Sequence, residues 1–149
     1  MNKRLIKLYG LGEKEGVKFW NAYLPHEDGA TFRKDGFTLI YISVKLSEKQ
    51  EYIVLAHEMG HFYMDCATCF SVPASKMIDE SRADNWKAQY LVPREKYIEV
   101  MRSPFVYSDF EAAEELGVDI DSIVRVRESF RAQGLPVSQA ELDCVYREP

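Results

Sequence analysis

The chain has 149 residues, of which 46% are hydrophobic and 29% are charged, with a formal net charge of −5. This size and composition suit one domain with a substantial core. No run approaches the roughly 18 consecutive apolar residues of a membrane-spanning helix, and charges interrupt any secretory signal near the start. Three cysteines are too few for a disulfide scaffold. We therefore expect a soluble, cytoplasmic protein without a membrane partner.

The first third of the chain, residues 1–46, is predicted to be rich in strands. Residues 17–24 mix aromatic and β-branched side chains, and residues 25–29 form a turn cluster. Further on, Lys34-Asp35-Gly36 separates two β-prone runs, as in a hairpin. We predict two or three antiparallel strands between residues 17 and 44.

The middle segment, residues 47–93, changes to helical spacing. Ser47 stands at an N-cap position before an acidic first turn, which predicts a helix over about residues 48–65. A second helix is predicted from Ser75 or Lys76 until Pro93, because proline does not continue a helix comfortably.

The last third, residues 94–149, is predicted to be a helical tail. One helix starts at Ser108 or Asp109 and stops at Gly117, and the next stops at Gly134. Ser138 is a candidate cap for a short final helix.

Charge is distributed unevenly along the chain. Residues 108–149 hold ten acidic and four basic side chains, which gives this segment a net charge of −6 and leaves about +1 for the rest of the chain. This balance argues against a nucleic-acid partner, because the tail would repel phosphate groups. The expected fold is a single α+β domain, with a small antiparallel sheet packed with two helices and a helical C-terminal part.

Two of the three histidines fall in one pentapeptide, His57-Glu58-Met59-Gly60-His61. On a helix both imidazoles lie on one face, because residues i and i+4 are neighbours, and such a pair suits one zinc ion. Glu58 is placed to act as a general base on water, and zinc polarises a peptide carbonyl. The motif therefore predicts hydrolysis of an amide bond. The alternative interpretation is that these are two ordinary histidines that happen to lie on one face of a helix.

A catalytic zinc needs a third protein ligand. The histidine of the longer HExxHxxGxxH motif is excluded, because Met64 and Ala67 stand where Gly and His would be. A carboxylate on the following helix is the other source, and Glu80 lies 19 residues beyond His61.

Asp84 follows Glu80 by one helical turn. The two carboxylates suit a zinc ligand and a group that accepts the free ring N–H of a zinc-bound histidine. Asp65 and Asp79 are competing candidates for the ligand.

Two segments resemble the ImmA/IrrE family of zinc metallopeptidases: VLAHEMGH at residues 54–61 and ESRADNWKAQYLVP at residues 80–93. Family members share an L-A-H-E-x-G-H helix, followed by a helix patterned E-x-x-A-[ND]-x-[FW]-A-x-x-L-L-x-P. The resemblance implies a metallopeptidase-like domain in which His57, His61 and Glu80 bind one Zn²⁺ per chain and Glu58 is the base. It is strong over residues 39–93 and diffuse elsewhere.

The chain departs from the family pattern at two positions. Asp84 stands where the family more often has Asn; an Asp there resembles the E-x-x-x-D arrangement of thermolysin-like enzymes and supports the orienting role. Lys87 stands where the family usually has a small residue, which bears on local packing.

The family resemblance also implies a regulatory activity. It indicates an endopeptidase that cleaves a protein partner, typically a repressor of the helix-turn-helix type encoded beside it on a prophage or mobile element. Two alternatives stay open: a regulatory binding module with structural zinc, and a DNA-binding regulator. A DNA-binding regulator would use the C-terminal helices, whose Arg125, Arg127 and Arg131 could face DNA.

A donor to the oxyanion formed during hydrolysis is also needed. His26, Tyr63 and Tyr90 are candidates, although the polar surroundings of His26 also suit an exposed turn residue.

Cys66 and Cys69 form a C-x-x-C pair. A structural zinc would need two more soft ligands while only Cys144 is left, so free thiols are favoured over a zinc site or a redox pair.

Overall fold

The computed structural model describes residues 2–64 and 73–147, and only the backbone of residues 73–75. The chain folds into two compact units, residues 1–87 and 88–149. The expectation of a single domain stays a prediction. None of the described helices combines the length and the apolar composition that crossing a lipid bilayer requires.

The first unit begins with a helix that was not predicted. This helix, α1 (Lys3–Lys14), starts at Asn2, whose side-chain oxygen accepts a hydrogen bond from the Leu5 N–H at 2.8 Å. Leu5 and Leu8 on α1 are fully buried. The description of residues 1–46 as strand-rich is therefore wrong at its start, because burial of the apolar face outweighs the low helix propensity of the two glycines within α1.

Three strands follow: β1 (Lys18–Ala22), β2 (Gly29–Lys34) and β3 (Phe37–Ser43). The predicted hairpin joins β2 to β3, and Asp35 and Gly36 both have positive φ angles, as a tight two-residue turn requires. The strand order is β1-β3-β2, with β3 antiparallel to β2 and parallel to β1.

The predicted all-antiparallel sheet is therefore wrong, and the sheet is mixed. Each connection reverses the chain, so β1 and β3 run in the same direction. Because β1 pairs with β3 instead of β2, that pair must be parallel. The α+β class with a helical C-terminal part is confirmed.

Two helices complete the first unit: α2 (Glu48–Tyr63), and α3 (Pro73–Leu91), which continues into the second unit. The predicted Ser47 cap is present as a full capping box with Gln50. Helix α2 packs on α1, β2 and β3, and its buried Leu55 and Met59 join Ile40 and Ile42 of β3 in the core.

The described part of the second unit contains four further helices: α4 (Arg94–Met101), α5 (Asp109–Leu116), α6 (Ile120–Ala132) and α7 (Gln139–Val145). The predicted caps Ser108 and Ser138 are present, α6 ends two residues before the predicted Gly134, and Gly117, which has a left-handed backbone conformation, ends α5 as predicted. Among these four helices, only α4 was not predicted.

A hydrogen-bond network links three of these helices around the fully buried Tyr97. Its hydroxyl donates to the Val137 carbonyl at 2.8 Å and accepts from Arg127 Nε at 3.0 Å. Arg127 also forms a two-pronged ion pair with Asp109, with N–O distances of 3.0 and 2.5 Å. The network fixes α4, α5 and α6 within this unit.

Candidate metal centre

Helix α2 carries both histidines of the pentapeptide on one face. The imidazole centroids of His57 and His61 lie 4.8 Å apart with nearly perpendicular planes, and the two Nε2 atoms are 3.1 Å apart. The buried Leu55 and Met59 hold the opposite side of the helix in the core. The packing of α2 thus fixes where both imidazoles point.

Glu80 on α3 completes a triangle with these imidazoles. Its Oε2 lies 2.9 Å from His57 Nε2, and its Oε1 lies 3.0 Å from His61 Nε2. One ligand atom from each residue lies within 4.8 Å of the others, so the three could hold a metal ion. Asp79, the competing carboxylate, is buried one residue away and is not part of this group. Asp65 lies outside the described residues.

The donor set fits zinc in both chemistry and size. Tetrahedral zinc with ligands at about 2.0–2.1 Å keeps its ligand atoms roughly 3.3 Å apart, and two imidazole nitrogens with one carboxylate form a common catalytic set. The N–N distance of 3.1 Å and the N–O distances of 2.9 and 3.0 Å, which run to the two oxygens of Glu80, are close to that spacing.

Gly60 allows α2 and α3 to approach closely. A Cβ atom at this position would lie 2.5 Å from the Ala83 carbonyl oxygen and 2.9 Å from Ala83 Cα. These contacts are far shorter than van der Waals distance, and they involve backbone atoms. The glycine therefore lets the backbone that carries Glu80 lie against the helix that carries the histidines.

Asp84 fixes the orientation of His57. Its Oδ1 lies 2.7 Å from His57 Nδ1, so the ring N–H donates to the carboxylate and the Nε2 lone pair is left for a metal. Burial alone lowers the pKa of His57, but the Asp84 hydrogen bond and the negative charges of Glu58, Asp84 and Glu80 outweigh it and raise the pKa.

Glu58 is buried beside this triangle and bonded to the sheet. Thr31 of β2 places its hydroxyl 2.5 Å from Glu58 Oε2 and 3.2 Å from the Glu58 backbone oxygen. Burial raises the pKa of Glu58, while the Thr31 hydrogen bond and the nearby histidines lower it by less. A carboxylate with a raised pKa is suited to accept and return a proton near neutral pH.

These side chains line a cavity of about 440 Å³ in the first unit. His57, Glu58 and Glu80 form part of its wall, together with Gly29 at the start of β2. The volume is sufficient for a segment of peptide or a small ligand.

The three proposed oxyanion donors are not brought together by the structure. His26 is exposed in the segment between β1 and β2. The Tyr63 ring stacks on Trp86, with centroids 4.8 Å apart. Tyr90 lies on α3 in the second unit, where burial raises its pKa. The choice among them stays a prediction.

The remaining sequence candidates have separate outcomes. Cys66 and Cys69 lie outside the described residues, and Cys144 is an exposed thiol. Arg125 pairs with Asp121 at 2.7 Å, Arg127 with Asp109, and Arg131 with Glu128. These ion pairs reduce the positive charge that α6 could offer to phosphate groups.

Sequence reasoning missed the roles of Thr31 and Gly60. Thr31 contacts Glu58, a residue 27 positions away, which no local pattern reveals. The separation of Gly60 and Ala83 along the chain gives no sign of their contact either. Lys87 did give a signal, as a long charged residue where a small one was expected, and its Nζ lies 3.4 Å from Asp84 Oδ1.

Two half-buried imidazoles, a carboxylate that could complete a metal site with them and a buried glutamate beside them are typical of metal-dependent peptidases. The sequence model of the IrrE N-terminal-like domain, Peptidase_M78, matches residues 13–126. The chain belongs to this peptidase family, as its two motifs predicted. No curated protein matches the chain.

Proposed function

We propose that the protein is a zinc-dependent endopeptidase that cleaves a regulatory protein partner in the reducing cytoplasm. The observation that carries the proposal is the triangle of His57, His61 and Glu80 beside the buried carboxylate of Glu58. Family membership supports peptidase activity in general, and the donor set supports zinc.

The chain's own residues have distinct tasks in this proposal. His57, His61 and Glu80 would hold the zinc ion, which as a Lewis acid would polarise the scissile carbonyl and make a water molecule more acidic. Asp84 keeps the His57 ring in the tautomer that presents Nε2.

Glu58 moves the proton. Its carboxylate accepts a proton from the attacking water and then donates it to the leaving amine, so the residue ends each cycle unchanged. The Thr31 hydroxyl holds one carboxylate oxygen in place, so that the other can turn to the reacting water.

The edge of the sheet supports an extended peptide as substrate. Within the described chain, β2 pairs with β3 along one side only, and Gly29 at its start lines the cavity. An extended segment can add to such an edge through main-chain hydrogen bonds, which favours cleavage within a chain.

The partner that we propose is a helix-turn-helix repressor encoded beside this gene on a prophage or mobile element. This assignment rests on the family resemblance. The test is incubation of the purified neighbouring repressor with zinc-loaded wild type, with Glu58→Gln, and with Glu48→Gln as a control that is exposed in the first turn of α2.

Mass spectrometry of the products distinguishes the outcomes. We expect one or a few specific cuts by wild type and Glu48→Gln. Glu58→Gln should bind zinc normally and cleave at least about 100-fold more slowly, because the general base is lost. An intact repressor in every reaction would contradict the proposed partner, and equal cleavage by Glu58→Gln would contradict the proposed mechanism.

A further inference from the structure

The sheet has one face against the helices and one face against solvent. Ile40 and Ile42 of β3 are fully buried on the side where α2 packs, and Phe19 of β1 contacts Tyr9 of α1. Because side chains alternate along a strand, the intervening residues point to the other side. This outer face is formed by three residues of β1, three of β2 and four of β3.

Five large apolar side chains occupy the centre of the outer face. The strand register places Trp20 beside Tyr41, and Phe32 beside Leu39 one row further along, with Phe37 at the start of β3. The Phe32 and Tyr41 rings meet edge to face, with centroids 5.5 Å apart. Trp20 is 63% exposed, Phe37 51% and Phe32 41%. A contiguous apolar patch that stays exposed is typical of an interaction surface.

The charged residues of the outer face are both lysines. Lys18 of β1 and Lys34 of β2 lie on opposite sides of β3, and both are exposed. None of the three described strands contains an acidic residue. The neighbouring carboxylates lie in the connections, as Asp28 and Asp35 do, and Asp28 is paired with Lys45 at 3.7 Å. The face therefore offers two positive charges beside an apolar centre, and it favours a partner with carboxylates at matching positions.

The dimensions of the face match one helix. Neighbouring strands are about 4.8 Å apart, so β1 and β2 are separated by roughly 10 Å, and an α-helix with its side chains is about 10–12 Å wide. The seven residues of β3 extend over about 23 Å, which is the length of about 15 helical residues. A helix with an apolar stripe can cover the patch, as α2 covers the inner face, and acidic residues on its two flanks can reach Lys18 and Lys34.

Other occupants suit the face less well. A second copy of the chain, bound face to face, would bring four lysines together, and a stable interface needs about 20–30 residues on each side. The face offers ten, three each from β1 and β2 and four from β3. Nucleic acids and anionic membranes are polyanions, which the chain's net charge of −5 repels. A helix with a few acidic residues meets the two lysines with much less of that repulsion.

We propose that the outer face binds one amphipathic helix of a protein partner, whose apolar stripe covers Trp20 and its neighbours and whose flanking carboxylates pair with Lys18 and Lys34. The inference goes beyond the proposed peptidase function. Thr31 bonds Glu58 from the inner side of β2, so partner binding and catalysis use opposite sides of the same strand.

The probes are two labelled peptides of about 15 residues, each cross-linked to be helical. Both carry the same leucine stripe at helical spacing; one has Glu on both flanks of the stripe and the other has Lys. Fluorescence anisotropy measures their binding to the purified full chain. The net charge of the chain predicts tighter binding of the Lys peptide, whereas the outer face predicts tighter binding of the Glu peptide. We expect the Glu peptide to bind at least about tenfold more tightly.

Variants of the lysines test whether the preference arises at this face. Lys18→Glu with Lys34→Glu should reverse it. Lys3→Glu with Lys7→Glu changes two exposed lysines of α1 by the same charge and should retain the preference. Circular dichroism shows whether each variant is folded. If the first double variant is unfolded, Lys18→Gln with Lys34→Gln decides instead, and it should abolish the preference.

The apolar centre of the face has its own test. Trp20→Ser should weaken binding of the Glu peptide at least about fivefold, because the aromatic side chain supplies much of the contact area. Ile6→Ser changes an exposed apolar residue of α1 and should leave the binding unchanged.

Three results would overturn the proposal: equal or tighter binding of the Lys peptide, a preference that survives the charge reversal at Lys18 and Lys34, or no binding of either peptide at about 1 mM. Sedimentation of the wild type, and its binding to phosphatidylserine vesicles and to a single-stranded oligonucleotide, test the other occupants. Self-association, vesicle binding or oligonucleotide binding that is tighter than peptide binding and is lost in Trp20→Ser would also overturn it.

Discussion

Substitution of Gly60 by alanine tests the close approach of α2 and α3. Helix propensity alone predicts a gain, because alanine is about 1 kcal/mol more favourable than glycine within a helix. The new Cβ would meet the Ala83 carbonyl oxygen at 2.5 Å, Cα at 2.9 Å and the carbonyl carbon at 3.0 Å. Backbone atoms cannot rotate away as the end of a side chain can, so the helices must separate.

The magnitude follows from these distances. An ordinary contact needs about 3.4 Å or more, so the helices must move apart by roughly 0.5–1 Å. Overpacking of this kind costs about 1–3 kcal/mol. The gain in helix propensity offsets about 1 kcal/mol of this cost, so we expect the free energy of unfolding to fall by up to about 2 kcal/mol.

Metal binding should suffer more than stability. Ligand distances to zinc tolerate only about 0.2 Å of change, so a shift of Glu80 away from the histidines should weaken zinc binding at least about tenfold. Urea unfolding of the metal-free protein gives the stability, and competition with a chromophoric chelator gives the zinc affinity.

Gly10→Ala is the matched control. Gly10 lies inside α1, and a Cβ atom there would meet nothing within 4 Å. This variant should be stabilised by up to about 1 kcal/mol with unchanged zinc affinity. The reasoning would be refuted if Gly60→Ala were as stable as wild type and bound zinc equally well.

Two further predictions concern Thr31 and Asp109. Thr31→Val removes the hydrogen bond that lowers the pKa of Glu58, so the acidic limb of the pH profile of kcat/KM should move to higher pH and the rate should fall about tenfold. Thr31→Ser should retain the wild-type profile, and an unmoved acidic limb in Thr31→Val would contradict the role of the hydroxyl. The Arg127 ion pair lowers the pKa of Asp109, so its stabilisation is present above the unfolded-state pKa and is lost as the pH falls through the folded-state pKa. Asp109→Asn should therefore lower the free energy of unfolding at pH 7 by about 1–2 kcal/mol, and the difference from wild type should shrink in acid. As a control, Asp121→Asn in an exposed pair should change the free energy of unfolding by less than about 0.5 kcal/mol. Equal effects of both substitutions in urea unfolding would count against the network.

The parts of the fold that local signals define could be predicted from the sequence. Ser47, Ser108 and Ser138 cap helices as expected, and the turn at Asp35 and Gly36 joins two strands. Helix α1 was missed because Gly10 and Gly12 weaken its propensity. Its stability comes from burial of Leu5 and Leu8, which is a tertiary effect.

The neighbours of a strand cannot be read from its own residues. The apolar pattern of β1 indicates a strand, but nothing in it distinguishes pairing with β2 from pairing with β3. The first choice gives an antiparallel pair and the second the parallel pair that is observed. In the same way, Pro93 was interpreted as the end of one helix, although it also stands at the N-cap of α4.

The same distinction between local signals and tertiary contacts applies to the candidate site. The spacing of His57 and His61 on one helix, and of Glu80 and Asp84 on the next, indicated which residues could act together, because helical periodicity is a local property. The contacts of Thr31 with Glu58 and of Gly60 with Ala83 depend on how separate elements pack. Those contacts become visible only in three dimensions.

The central claim is that His57, His61 and Glu80 hold one zinc ion. Its most direct test is the zinc stoichiometry and affinity of purified wild type and of Glu80→Gln, measured by elemental analysis and chelator competition. We predict one zinc per wild-type chain and binding at least about 100-fold weaker in a folded Glu80→Gln protein, because the variant loses an ionised ligand. A folded wild type that binds no zinc, or a Glu80→Gln variant that binds it as tightly, would contradict the account.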